Sequence, residues 1–181
     1  MHQAEVGSAK LTPAHSTPSR GHLMPDFTLP STEGKQISLY DYRGHSSLVL
    51  LYAGDAHHPE EQRLLVSLVE HYAEIREEDS EVIIVVTCSR ERAEEMKRQI
   101  RSPFSVLLDQ QAQVHKMVGA LSSQSVPAPA VYVTDRFMEV FAAWRTGIGD
   151  TFPSISDVLS WLAYLDSVCP ECTQVEWPSE E

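Results

Sequence analysis

Apolar residues along this chain gather into short continuous runs that alternate with stretches where they recur every three or four positions. The run at residues 48–52, LVLLY, is too short for a helix and apolar throughout, which predicts a central strand covered on both faces. Leu64, Leu65, Leu68, Val69, Tyr72 and Ile75 then follow one face of a helix, with Glu70 and Glu74 turned away, so a long amphipathic helix should follow. Pro59 suits the first helical turn, where its missing amide hydrogen costs nothing. Glu60 and Glu61 suit the positive end of the helix dipole. The helix is expected to open at His58 or Pro59.

The same patterning continues on both sides of this unit. Phe27 and Leu29 alternate with polar neighbours, and a turn around Gly34 leads to Ile37, Leu39 and Tyr40, which predicts an extended segment or hairpin. Residues 81–88 read as a second buried strand, after which Ser89 caps a helix over 91–100. A shorter strand is expected at 105–108, and Asp109 opens a helical piece that ends near Val118. Residues 130–134 and 139–143 form a strand pair around the turn at Asp135-Arg136. Ile155, Val158, Leu159, Leu162 and Leu165 mark a final helix. This order predicts an α/β domain with a central, mostly parallel sheet and helices on both faces. The expected domain runs over 21–167, between a mobile polar tail at 1–20 and a C-terminal tail at 168–181.

A chain of 181 residues can bury a core without staples. Its 14 basic and 26 acidic residues give a net charge of −12, which argues against nucleic acid or an anionic membrane as partner. No apolar run approaches the ~18 to 20 residues of a membrane span, and the N-terminus lacks a signal core, so a cytoplasmic protein is expected. Three cysteines, Cys88, Cys169 and Cys172, are too few for a secreted disulfide framework. No Ser-His-Asp arrangement, Gly-rich phosphate loop or HExxH pattern is present, and no cofactor is expected. His71, beside Glu70 and Glu74, and His115, before Lys116, are expected to be solvated.

A set of motifs in order carries a resemblance. Gly21 with Met24-Pro25-Asp26-Phe27-Thr28-Leu29 comes first, then Gly34, Leu39, Asp41-Tyr42-Arg43-Gly44 and the strand at 48–52. Pro103-Phe104 with Leu108-Asp109, and Pro129-Ala130-Val131-Tyr132-Val133-Thr134-Asp135, complete it. Residues 21–165 thereby resemble the peroxiredoxin and alkyl hydroperoxide reductase-like (AhpC/TSA) branch of the thioredoxin fold. The resemblance implies a reactive cysteine in the loop after the central strand, where the helix dipole and local amides favour the thiolate. In this chain the loop is Asp55, Ala56, His57, His58, Pro59, Glu60 and Glu61. Set against the branch whose loop reads Cys-Pro-x-Cys, His58 takes the first cysteine position and Glu61 the second. The family's helper arginine is also not evident, because Ala128 occupies its place. Pro129 matches the fold's proline before a central strand, for which a cis peptide bond is expected.

Imidazole and carboxylate cannot perform the sulfur chemistry of a peroxidase cycle, so none is expected at this loop unless another thiol substitutes. Cys88 is the nearest candidate, because the ends of neighbouring parallel strands converge; alone it reads as a buried, inert thiol. Asp55, His57, His58 and Glu61 are metal-ligand types, but adjacent histidines diverge and no metal is expected. The tail pair Cys169 and Cys172 has the spacing of a redox disulfide, a zinc knuckle or an unreactive terminal turn, and two tails of a homodimer would supply four zinc ligands. It closes a helix instead of opening one, where the dipole and Glu171 raise thiol pKa values. Two functions follow from these readings. One is a non-peroxidase binding or regulatory module in redox physiology, with its protein-thiol or small-molecule partner unknown. The alternative is a thiol-disulfide oxidoreductase whose catalytic residues are Cys169 and Cys172.

Overall fold

The computed structural model describes residues 17–54 and 58–168. Its centre is a five-stranded sheet with the spatial order β5-β4-β3-β6-β7. The strands are β3 (Ser47–Tyr52), β4 (Ser80–Val86), β5 (Ser105–Leu108), β6 (Ala130–Thr134) and β7 (Val140–Arg145). A separate hairpin, β1 (Thr28–Pro30) with β2 (Gln36–Ser38), precedes them. The β5-β4-β3 half is parallel, whereas β6 joins β3 antiparallel and β7 returns beside β6. The chain turns back at Asp135, whose carboxylate accepts the Phe137 and Glu139 amides at 2.9 and 2.8 Å.

The helices are α1 (Pro59–Glu70), α2 (Tyr72–Glu77), α3 (Arg90–Gln99), α4 (Gln113–Val118) and α5 (Ile155–Ser167). The long helix expected after β3 is thus two, parted at His71. There the imidazole Nδ1 lies 2.9 Å from the Ser67 carbonyl, in competition with the helical ladder, yet Ile75 on α2 stays fully buried. Successive β3 side chains point to opposite faces. Val49, Leu51 and Ala53 pack with Leu64, Leu68, Val158 and Leu162, under α1 and α5. Leu48, Leu50 and Tyr52 pack with Phe27, Leu39, Val114 and Val118, under the hairpin and α4. Burial on both faces explains the unbroken apolar run that marked β3. Ser154 and Asp157 form a capping box that starts α5, and Ser89 accepts the Arg92 amide at the start of α3. Among the described residues no helix is long and apolar enough to cross a membrane.

Candidate functional site at the exit of β3

The chain leaves β3 through Ala53 and Gly54, and these two residues are held by four neighbours. The Ala53 amide donates to the Val85 carbonyl at 2.8 Å, which extends the β3-β4 ladder by one step. Its own carbonyl lies 3.1 Å from Nε2 of His115 on α4. The Gly54 amide donates to Oε2 of Glu61, in the first turn of α1, at 3.1 Å. Pro129 is the fourth, for a Cβ at position 54 would sit 2.6 Å from its Cδ. Only glycine fits that approach.

Glu61 is the buried acid of this turn, with 7% of its surface exposed. Burial pushes its carboxyl up from 4.5 to about 7, against the Gly54 amide, which favours the ionised form. Its sequence neighbour Glu60 is exposed, as are Pro59 and His58. His58 is the N-cap, in extended conformation, with no side-chain cap bond. The three-residue spacing of His58 and Glu61 therefore gives no shared ligand face, because His58 precedes the helix that turns Glu61 inward. Among the described residues no group of three or more His, Cys, Asp or Glu could hold a metal ion. Asp55, His57, Cys169 and Cys172 lie outside the described residues.

His115 corrects the expectation of a solvated imidazole, for it is fully buried. Its Nδ1 lies 2.8 Å from Asp109 Oδ2, the same oxygen that accepts the His115 amide at 2.8 Å. Asp109 Oδ1 accepts the Gln113 amide at 2.9 Å. Both ring nitrogens face oxygen atoms, the Asp109 carboxyl on one side and the Ala53 carbonyl on the other. Tyr52 meets this ring edge-on at 5.6 Å, and Tyr132 meets Tyr52 at 5.9 Å. The signal in the sequence was Asp109, an acid at the mouth of a short helix; four residues of apolar spacing on α4 are too few to show which face the histidine takes.

Two further sequence expectations change here. Pro129 follows a trans peptide bond, since no cis bond occurs among the described residues. The trans form is favoured for X-Pro by about 0.5–1 kcal/mol, and here the flanking groups are satisfied without isomerisation. The Ala128 amide donates to the Ala120 carbonyl at 3.0 Å, and the Pro129 carbonyl accepts the Thr146 amide and hydroxyl at 3.1 and 2.8 Å. An arginine does reach this edge of the sheet, though not from position 128. Arg145 ends β7 opposite Ala130, interacts with the Tyr132 hydroxyl, and keeps a buried Nε without a partner. Register across the sheet put it there, and sequence spacing cannot show register.

Cys88 lies two residues beyond β4 on the same edge, half-buried against the core. Burial pushes its thiol up, opposed by its own backbone amide and by Arg92. The opposite edge holds the end of α5. There a cavity is lined by His45, Ser47, Asp79, Phe141 and Val168, so the last described residue lies toward the start of β3.

Comparison with known proteins bears on this arrangement. The model of the AhpC/TSA family matches residues 20–143. The chain belongs to the AhpC/TSA family. Its peroxiredoxin-like, thioredoxin-fold architecture is shared with peroxidoxin BcpB from Mycobacterium tuberculosis, at a TM-score of 0.72 and 17% identity over 82% of this chain and 98% of that one. Peroxiredoxin Q from Xanthomonas campestris gives 0.66 and 15% identity over 77% and 90% of the two chains. In sequence, the chain is 26% identical over 120 residues to a chloroplastic peroxiredoxin Q of Oryza sativa subsp. japonica, covering 65% of this chain. That match spans 55% of the rice protein, so this AhpC/TSA chain covers about half the length of such a relative.

Proposed function

We propose that this AhpC/TSA-family chain lacks the family's peroxidatic chemistry and acts as a binding or regulatory module in redox physiology, in the cytoplasm. The observation that carries this reading is the turn that opens α1. It contains His58, Pro59, Glu60 and Glu61 and no sulfur, and the group it turns inward is a carboxyl engaged with the Gly54 amide. A carboxyl cannot take oxygen from a peroxide and pass it on through a disulfide. Cys88 is a poor substitute, because a thiol pushed up by burial is mostly protonated and weakly nucleophilic at neutral pH.

The alternative is thiol-disulfide exchange by Cys169 and Cys172, a pair that lies outside the described residues.

The test is peroxide consumption by the purified protein with dithiothreitol. We expect a rate equal to buffer, unchanged by Cys88→Ser or Cys169→Ser. Saturable turnover that either substitution abolishes would overturn the proposal. Loss of two thiols per chain on oxidation, prevented by Cys169→Ser, would move the assignment to the oxidoreductase.

A further inference from the structure

The cavity beside the end of α5, at the opposite edge of the sheet from the β3 exit, holds an acid whose hydrogen bonding is incomplete. Asp135 lines it and has 8% of its surface exposed. Its Oδ1 accepts both the Phe137 and Glu139 amides. Its Oδ2 takes no hydrogen bond among the described residues. That oxygen is also not one of the side-chain atoms sealed from solvent without a partner, which belong to Thr32, Thr134 and Arg145, so it keeps access to the cavity. Burial pushes the Asp135 carboxyl up, against the two amides and Arg136, as expected of a carboxylate short of donors.

The rest of the lining supplies charge and an apolar wall. Glu78, Asp79 and Asp166 add three carboxyls, and none of them makes a side-chain hydrogen bond or ion pair among the described residues. Arg136 and His45 are the basic groups of the lining, and Arg136 forms no ion pair with Asp135. Phe137, Phe141, Leu165 and Val168, all half-buried, form the apolar wall. Residues 169–181, which follow Val168, carry four glutamates and no lysine or arginine, so they bring no such cation to the cavity.

We propose that this cavity seats the ammonium of a lysine side chain presented by a basic segment of a partner protein, with Asp135 Oδ2 as its acceptor and Phe137 and Phe141 against its stem. An ammonium is a compact point charge that one carboxylate oxygen can hold, whereas a guanidinium is best held by two, and Oδ1 is already engaged. The space of about 30 Å³ admits a group of roughly two waters' size, which also suits the tip of a lysine. Aromatic faces attract a cation, and the methylene stem packs on the apolar wall. The acids do not converge as metal ligands would, since no group of three among the described residues could hold a metal ion. The exposed carboxyls of Asp79 and Asp166 favour a partner with further positive charge beside that lysine, as does the net charge of −12. The site stands whether or not the β3 exit turns over peroxide, because the peroxide assay reads that exit and a titration reads this cavity.

The experiment is an NMR titration of the full chain, at constant ionic strength, with a short blocked peptide of alternating glycine and lysine. The expected result is saturable shifts at Ser47, Asp135, Phe137 and Val168. Asp135→Asn, whose side-chain oxygen can still accept the Phe137 and Glu139 amides, should weaken binding about 10-fold, the worth of a charge-assisted hydrogen bond. Asp166→Asn, on the exposed surface of α5, should weaken it about 2-fold with folding intact. An arginine peptide that binds as tightly overturns the choice of an ammonium, and an Nε-acetyl-lysine peptide that does so overturns a cation site of any kind. Spermidine that matches the lysine peptide assigns the cavity to free amines and overturns the protein partner. Linear shifts spread over the acidic surface, or an unchanged affinity in Asp135→Asn, overturn the cavity as the seat.

Discussion

Asp109 and Glu61 are buried carboxyls on opposite sides of the same two residues, and the fold treats them differently. Asp109 receives two backbone amides and the His115 ring, and through that ring it reaches the Ala53 carbonyl. Glu61 receives the Gly54 amide alone and is pushed up to about 7. A carboxylate surrounded by donors is a fixture of the core; one with a single donor stays poised between charged and neutral. The β3 exit is thus rigid on its α4 side and chemically responsive on its α1 side.

Removing the rigid side should have the largest effect. His115→Ala leaves Asp109 Oδ2 and the Ala53 carbonyl buried without the ring and opens a void in the core, and should cost about 3–5 kcal/mol of unfolding free energy in urea. A loss below about 1 kcal/mol would reduce the pair to the worth of a surface contact and dissolve the contrast.

Glu61 tests the responsive side through pH. Its folded carboxyl titrates near 7 against 4.5 in the unfolded chain, so between those values the folded state binds the extra proton. Stability from this group is complete below pH 4.5 and is lost as pH rises to about 7, by about 3 kcal/mol. Glu61→Gln should remove that component of the slope from denaturation curves taken between pH 4.5 and 8. An identical pH profile in wild type and variant would mean the carboxyl is solvated.

The smallest effect is expected where the two sides meet. Gly54→Ala drives a methyl into the Pro129 ring, a strain of about 1–3 kcal/mol that a thermal melt reads directly. A neutral outcome would show that Pro129 yields and does not brace the exit.

Much of the fold was legible because burial on two faces writes itself into composition. β3, β5 and β6 appear as uninterrupted apolar runs, Pro59 marks the start of α1, and Ser89 marks that of α3. The break at His71 was not legible, because the apolar stripe continues across it from Leu68 to Ile75. Neither was the site. His115 is 62 positions from Ala53, and Arg145 sits on the strand that returns beside Tyr132; only the seat of α4 and sheet register bring each pair together. Glu60 and Glu61 looked equivalent as dipole partners, and packing of α1 against β3 exposes one and buries the other.

By itself, the order of residues determined a thioredoxin-like α/β domain of the AhpC/TSA family and the identity of the groups that follow β3, none of them a thiol. Those are properties of local pattern and covalent composition, which a chain carries into any environment. Tertiary structure alone decided which acid is poised near neutrality, which histidine is locked in the core and which carboxyls line the cavity at the start of β3. Proton affinity and hydrogen-bonding capacity depend on the dielectric and on partners brought from distant parts of the chain.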